Sequence, residues 1–109
     1  MSEDPQRALT GSLLLERLEL RRDIAAIKAD LGKRAEVIVR LGTQLRSNPQ
    51  MIEIDEQQLP AEFAQRAQKF NSEDFNAGRL AALVDELRKK SERLNTVEQE
   101  IKAMGYSLE

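Results

Sequence analysis

The 109-residue chain predicts an all-α fold, in which two long amphipathic helices form an antiparallel coiled-coil-like hairpin with a short third helix in the connection. Three observations carry that expectation. Apolar residues recur at helical spacing through residues 10–46. Near the C-terminus they recur every seven residues. The prolines at positions 5, 49 and 60 all lie outside both periodic stretches, which suits helix better than sheet. The whole is read as a single helical domain over residues 1–109.

Residues 1–9 read as a flexible, acidic N-terminus. The first long helix is placed at residues 10–46, where Leu13, Leu20, Ile24, Ile27, Leu31, Ala35, Ile38, Leu41 and Leu45 share a face. Two rows of sevens run through it, Leu13/Leu20/Ile27/Arg34/Leu41 and Arg17/Ile24/Leu31/Ile38/Leu45, the pattern of a coiled-coil seam with an internal Arg. Asp30/Arg34 and Glu36/Arg40 set an acid four residues before a base, worth about 0.2–0.5 kcal/mol each on an exposed helix. Gly32 and Gly42 each weaken a helix by about 1 kcal/mol relative to Ala. The stripe nevertheless runs unbroken across both, so a continuous helix is expected, with a break after Leu31 as the alternative.

Ser47-Asn48-Pro49 ends this helix, because proline has no N–H to continue it and disfavours helical backbone at the residue before. Residues 47–59 are read as connection. Met51-Ile52-Glu53-Ile54 alternates briefly, but no strand partner is evident, so it is taken as loop. Leu59-Pro60-Ala61-Glu62 resembles a helix start, and a short helix is placed at residues 60–70 with Phe63, Ala67 and Phe70 on one face. Residues 50–75 carry six acids against Arg66 and Lys69, whereas residues 13–46 carry eight bases against five acids. These opposite signs favour folding of the connection back onto the first helix.

Ser72-Glu73-Asp74-Phe75 reads as the N-terminus of the second long helix, placed at residues 73–104, with acids near the positive end of its dipole. Leu80, Leu87, Leu94, Ile101 and Leu108 recur every seven residues, with Leu83, Lys90, Val97 and Met104 three positions after the first four. Gly105 is expected to cap or fray the helix before a tail at 105–109.

Each seam needs a partner, because a lone helix of this length would leave a long apolar stripe in water. Two helices with a small third make a thin core. A homodimer forming a four-helix bundle, or docking onto another helical protein, is therefore expected, with Leu20, Ile27, Leu31, Ile38, Leu80, Leu87, Leu94, Ile101, Phe63 and Phe70 as the candidate interaction residues. Internal core is the first role for the seam residues and for the two phenylalanines; gripping a partner is the second. Arg34 and Lys90, polar at seam positions, are expected to fix register.

Composition narrows the chemistry. With no His and no Cys, the usual general base, metal ligands and thiol nucleophile are missing. Glu53, Asp55 and Glu56 lack the glycine and distal Glu of a calcium loop. Gly32-Lys33-Arg34 has Ile27 where a phosphate loop needs glycine. Glu19/Asp23 reads as a solvated helix face. No cofactor, small-molecule substrate or catalysis is expected. The basic clusters Arg21-Arg22 and Arg88-Lys89-Lys90 would serve a nucleic acid or a membrane surface only if they converged, so neither partner is expected at a net charge of −2. The acidic N-terminus and short apolar run Leu13-Leu14-Leu15 give no signal peptide, and a cytoplasmic location is expected. The functional expectation is a structural or adaptor module acting by self-association or partner-helix binding through its seams; the alternative is a small regulatory or chaperone-like protein that masks a partner.

Overall fold

The computed structural model describes residues 3–106, and its elements in order are α1 (Glu3–Ser47), β1 (Ile52–Ile54), α2 (Ala61–Ala64), β2 (Gln68–Phe70) and α3 (Ala77–Ala103). Short 3-10 turns at Pro49–Met51 and Ser72–Phe75 flank the strands. The two long helices expected from the sequence are present. Leu108 and the end of the C-terminal tail lie outside the described residues, as do the first two residues.

Helix α1 begins at Glu3 rather than Thr10, so residues 3–9 are helical where a flexible segment is expected. Pro5 falls in the first turn, where an N–H would have no intrahelical acceptor and the fixed φ suits the helix. The helix then runs without a break through Gly32 and Gly42. A Cβ built at Gly32 or Gly42 meets nothing within 4 Å, so neither glycine answers a close backbone approach. Gly32→Ala is therefore expected to raise stability by about 1 kcal/mol, read as a higher urea midpoint at unchanged slope. An unchanged or lower midpoint would contradict this.

The chain divides into two compact units, Met1–Lys28 with Val84–Glu109, and Ala29–Leu83. In the first, the N-terminal part of α1 and the C-terminal part of α3 pack antiparallel. Leu13, Leu20, Val97 and Ile101 form its buried cluster, with Leu94 and Met104 packed against it. Arg17–Glu98 at 3.3 Å and Asp23–Lys90 at 3.0 Å fix the antiparallel register, since residue numbers rise on one helix as they fall on the other. At the end of α3, Gly105 has φ 91°, Gly105 N–H donates to Lys102 O, and Tyr106 N–H donates to Ile101 O. This is a Schellman cap, which needs a left-handed residue and so favours glycine.

The second unit departs most from expectation. Met51–Ile54 is not simply loop: β1 pairs in parallel with β2, with Ile52 opposite Gln68, Glu53 opposite Lys69 and Ile54 opposite Phe70. The short helix expected at residues 60–70 is reduced to the single turn of α2, and Phe70 lies on a strand, not on a helical face with Phe63. A helix of three turns is marginal in isolation because nucleation is unfavourable. Pairing with β1 gives Gln68–Phe70 a ladder and leaves Phe70 only 4% exposed. Residues 55–67 supply the crossover that parallel strands require.

Polar side chains fasten this strip to α1. The Arg40 guanidinium sits 4.9 Å from the centre of the Phe70 ring, and the Gln68 amide donates to Gln44 Oε1 at 3.2 Å. Arg34, the polar residue in the first seam, donates to Asp30 at 2.9 Å and to the carbonyl of Glu73. It thereby satisfies a backbone acceptor in the 3-10 turn. The start of α3 also shifts. Asn71 caps the 3-10 turn through Glu73 N–H, while Asn76 Oδ1 accepts from Arg79 N–H at 2.8 Å and caps α3, which begins at Ala77 rather than at residue 73. Among the described residues, no helix is long and apolar enough to cross a membrane.

Candidate interaction surface

The geometry of the α1/α3 seam begins with helical rotation. Each residue advances about 100°, so a seven-residue seam leaves one row on each side of it. With Leu13, Leu20 and Ile27 turned inward, Glu16 and Asp23 fall on one side of α1, while Leu14, Arg21 and Lys28 fall on the other, with Leu18 and Ala25 just beyond. On α3 the corresponding rows are Glu86, Arg93 and Glu100 on one side, and Val84, Ser91 and Glu98 on the other, with Arg88 and Lys102 beyond. In an antiparallel pair, like rows meet. Observed contacts agree: Glu16 and Arg93 meet through two hydrogen bonds of 2.6 and 2.8 Å, and Arg17 reaches Glu98 across the opposite side.

The two flanks of the first unit therefore differ in chemistry. One is ionic and rich in carboxylates: Glu16, Glu19, Asp23, Glu86 and Glu100 stand there with Arg93, Lys89 and Lys90, and exposed Leu9 lies at the N-terminal end of its α1 row. Hydrogen bonding from Arg93 holds the Glu16 carboxyl below its usual pKa, and the bond to Asp23 raises Lys90 above the ordinary lysine value. Lys90, polar at a seam position, thus reaches out to join the two helices along this flank. The second flank is apolar and basic. Leu14 is 40% exposed, Leu18 47% and Val84 40%. Leu87 and Leu94 are half-buried beside them, and the exposed cations are Arg21, Lys28, Arg88 and Lys102. Its carboxylate, Glu98, is engaged by Arg17.

The residues singled out from sequence are divided between the units. Leu20 and Ile101 belong to the buried cluster of the first unit, and Ile27 is buried on the same helix face. Leu87 and Leu94 are half-buried there. Leu31, Ile38, Leu80, Phe63 and Phe70 lie in the second unit, where Phe70 is buried, Ile38 is exposed and the other three are half-buried. Four of the ten, Leu20, Ile27, Phe70 and Ile101, are thus buried within the chain, and five are half-buried. The exposed apolar positions Leu14, Leu18 and Val84 were not among them. A signal for two of these was present: three consecutive leucines on a helix span some 200° and cannot all face one seam, and Leu18 follows Leu14 by one turn.

The basic clusters do not converge as blocks. Arg21 and Arg88 share the apolar flank, but Lys89 pairs with Asp85 at 3.0 Å and Lys90 with Asp23.

The second unit holds a cleft of about 660 Å³ lined by Asp55, Glu56, Lys69, Phe70, Asn71 and Asp74. Asp55 adopts φ 57° at the end of β1, a left-handed conformation that Asp tolerates better than most residues. Its N–H donates to Phe70 O at 2.8 Å, and its carboxylate accepts from Ser72 Oγ at 2.6 Å and Ser72 N–H at 2.9 Å. The hydroxyl bond, then the backbone bond, holds the Asp55 carboxyl below its ordinary pKa. This carboxylate is a clip closing the strand crossover. Because the folded pKa is depressed, its stabilisation is present above the unfolded value of about 3.9 and is lost as pH falls through the folded value. Asp55→Asn keeps a residue tolerant of positive φ. The variant is expected to melt below wild type at neutral pH, and the two melting points should converge on acidification; a gap that persists in acid would show that charge is not the cause.

Among the described residues, no group of three or more His, Cys, Asp or Glu is placed to hold a metal ion. The fold defines a class, the antiparallel helical hairpin. No protein-family model matches the chain, and no curated protein or solved structure matches it.

Proposed function

We propose that the protein is a non-catalytic helical interaction module that binds another helix along the open flank of the α1/α3 seam. The observation that carries this reading is the asymmetry of the two flanks: ion pairs close one, while Leu14, Leu18 and Val84 stay exposed beside half-buried Leu87 and Leu94 on the other. A groove between two packed helices is the natural seat of a third, whose side chains would cover the open edge of the seam. The seam residues themselves are poor test positions. Leu94 packs against the buried cluster, so Leu94→Asp would disrupt the hairpin together with any assembly.

Exposed positions separate the two effects. Leu14→Ser with Leu18→Ser removes the apolar row and is expected to leave the hairpin folded. Capture from a lysate of the source cells should retain a discrete protein on the wild-type chain and on Leu15→Ser, whose side chain lies on the back of α1. The double variant should lose it. Equal retention by wild type and double variant would overturn the reading, as would no retention by either together with a monomeric mass at every concentration. The other form of the same module is self-association, and absolute mass across a concentration series identifies it as a dimer that the double variant dissolves.

A further inference from the structure

Resting on that interaction reading, we infer that the occupant of the open flank is an acidic amphipathic helix of a different protein, seated against Leu14, Leu18 and Val84 with its carboxylates on Arg21, Lys28, Arg88 and Lys102. Charge complementarity selects this occupant. The four cations are exposed along the apolar row, and the flank's carboxylate, Glu98, is already paired with Arg17. A second copy related by a two-fold axis would bring this flank against itself, opposing cation to cation, which disfavours the isologous dimer. A bilayer is a poorer match, because half-buried Leu87 and Leu94 lie in the groove between two helices, where a flat surface does not reach and a helix does. The described part of this unit also offers a single aromatic ring, Tyr106, too little for stacking unpaired bases or for an aromatic membrane anchor.

The test uses the full chain and two fluorescein-labelled synthetic peptides of about 18 residues, long enough to follow the flank. Both carry leucine on one helical face; one has glutamate and the other lysine on the remaining positions. Fluorescence anisotropy is expected to give an affinity for the glutamate peptide at least about tenfold above that for the lysine peptide, weakening between about 50 and 500 mM salt. Arg21→Glu with Arg88→Glu should erase the preference while circular dichroism stays unchanged, these side chains being exposed. Equal binding of both peptides, abolished by Leu14→Ser with Leu18→Ser, would overturn the acidic partner and leave the interaction module standing. Binding of neither peptide, together with a stable dimer by sedimentation, would assign the flank to a second copy. Tighter binding to phosphatidylserine vesicles or to duplex DNA than to the glutamate peptide would likewise overturn the proposal.

Discussion

Ile101→Ala lowers the free energy of unfolding by about 2–5 kcal/mol in urea denaturation followed by helical circular dichroism. The expectation follows from position. Ile101 and Val97 are both 0% exposed, the most completely enclosed large side chains among the described residues. Ile101 belongs to a cluster with Leu13, Leu20 and Val97, flanked by Leu94 and Met104, so truncation leaves a void lined by apolar side chains from two helices. A two-helix layer has few other buried groups, so this one loss is a large share of what holds the unit together. Lys102→Ala, the exposed neighbour, is the control and should fall within about 0.5 kcal/mol of wild type. A loss at Ile101 below about 1 kcal/mol would mean that the seam does not hold the unit together.

The same seam was legible in the sequence because the period of seven is a direct consequence of how two helices pack. Leu87, Leu94, Val97 and Ile101 announce it without knowledge of anything distant in the chain. What periodicity does not record is how much of each seam residue the partner helix covers. Leu94 and Leu87 are half-buried where a four-helix core would bury them, and the flank that exposes them follows from the rows beside the seam, Leu14/Arg21/Lys28 and Val84/Ser91/Glu98. Those rows contain apolar, basic, small and acidic residues in no repeating order. Only after the ion pairs Glu16–Arg93 and Asp23–Lys90 fix the antiparallel register does it become visible that most carboxylates gather on one flank, with exposed Leu9 at the end of its row, while exposed Leu14 and Leu18 stand on the other.

The connection was less legible for a different reason. Ile52–Ile54 and Gln68–Phe70 are each too short to declare a strand alone, and a parallel pairing across residues 55–67 is a non-local decision. Phe63, Ala67 and Phe70 do fit a helical face, but burial of Phe70 in the strip outweighs the local preference. The N-terminus of α3 illustrates the same limit on a smaller scale. Several residues from Asn71 to Asn76 are good caps, and the structure uses two of them in succession, Asn71 for the 3-10 turn and Asn76 for the helix.

Phe70→Ala is the substitution expected to act most strongly on the second unit, at about 3–5 kcal/mol. The ring is 4% exposed, it ends the parallel ladder opposite Ile54, and its face receives the Arg40 guanidinium. Phe70 O also accepts from Asp55 N–H, next to the carboxylate that holds Ser72, so loss of the ring loosens strand, crossover and 3-10 turn together. A two-stranded strip is marginal without a packed face, and here that face rests on Phe70 together with buried Ile52. Phe70→Leu should recover part of the loss by refilling the site, while Arg40→Ala should cost far less, about 0.5–1 kcal/mol for an exposed cation over a ring. Amide hydrogen exchange gives the decisive reading: in Phe70→Ala, protection should fall at Ile54, Asp55 and Phe70 N–H while Val97 and Ile101, within the helical seam, keep theirs. Uniform loss of protection across both sets would mean that the strip and the seam unfold as one cooperative body, and that the strand pairing is a condition for the hairpin rather than an addition to it.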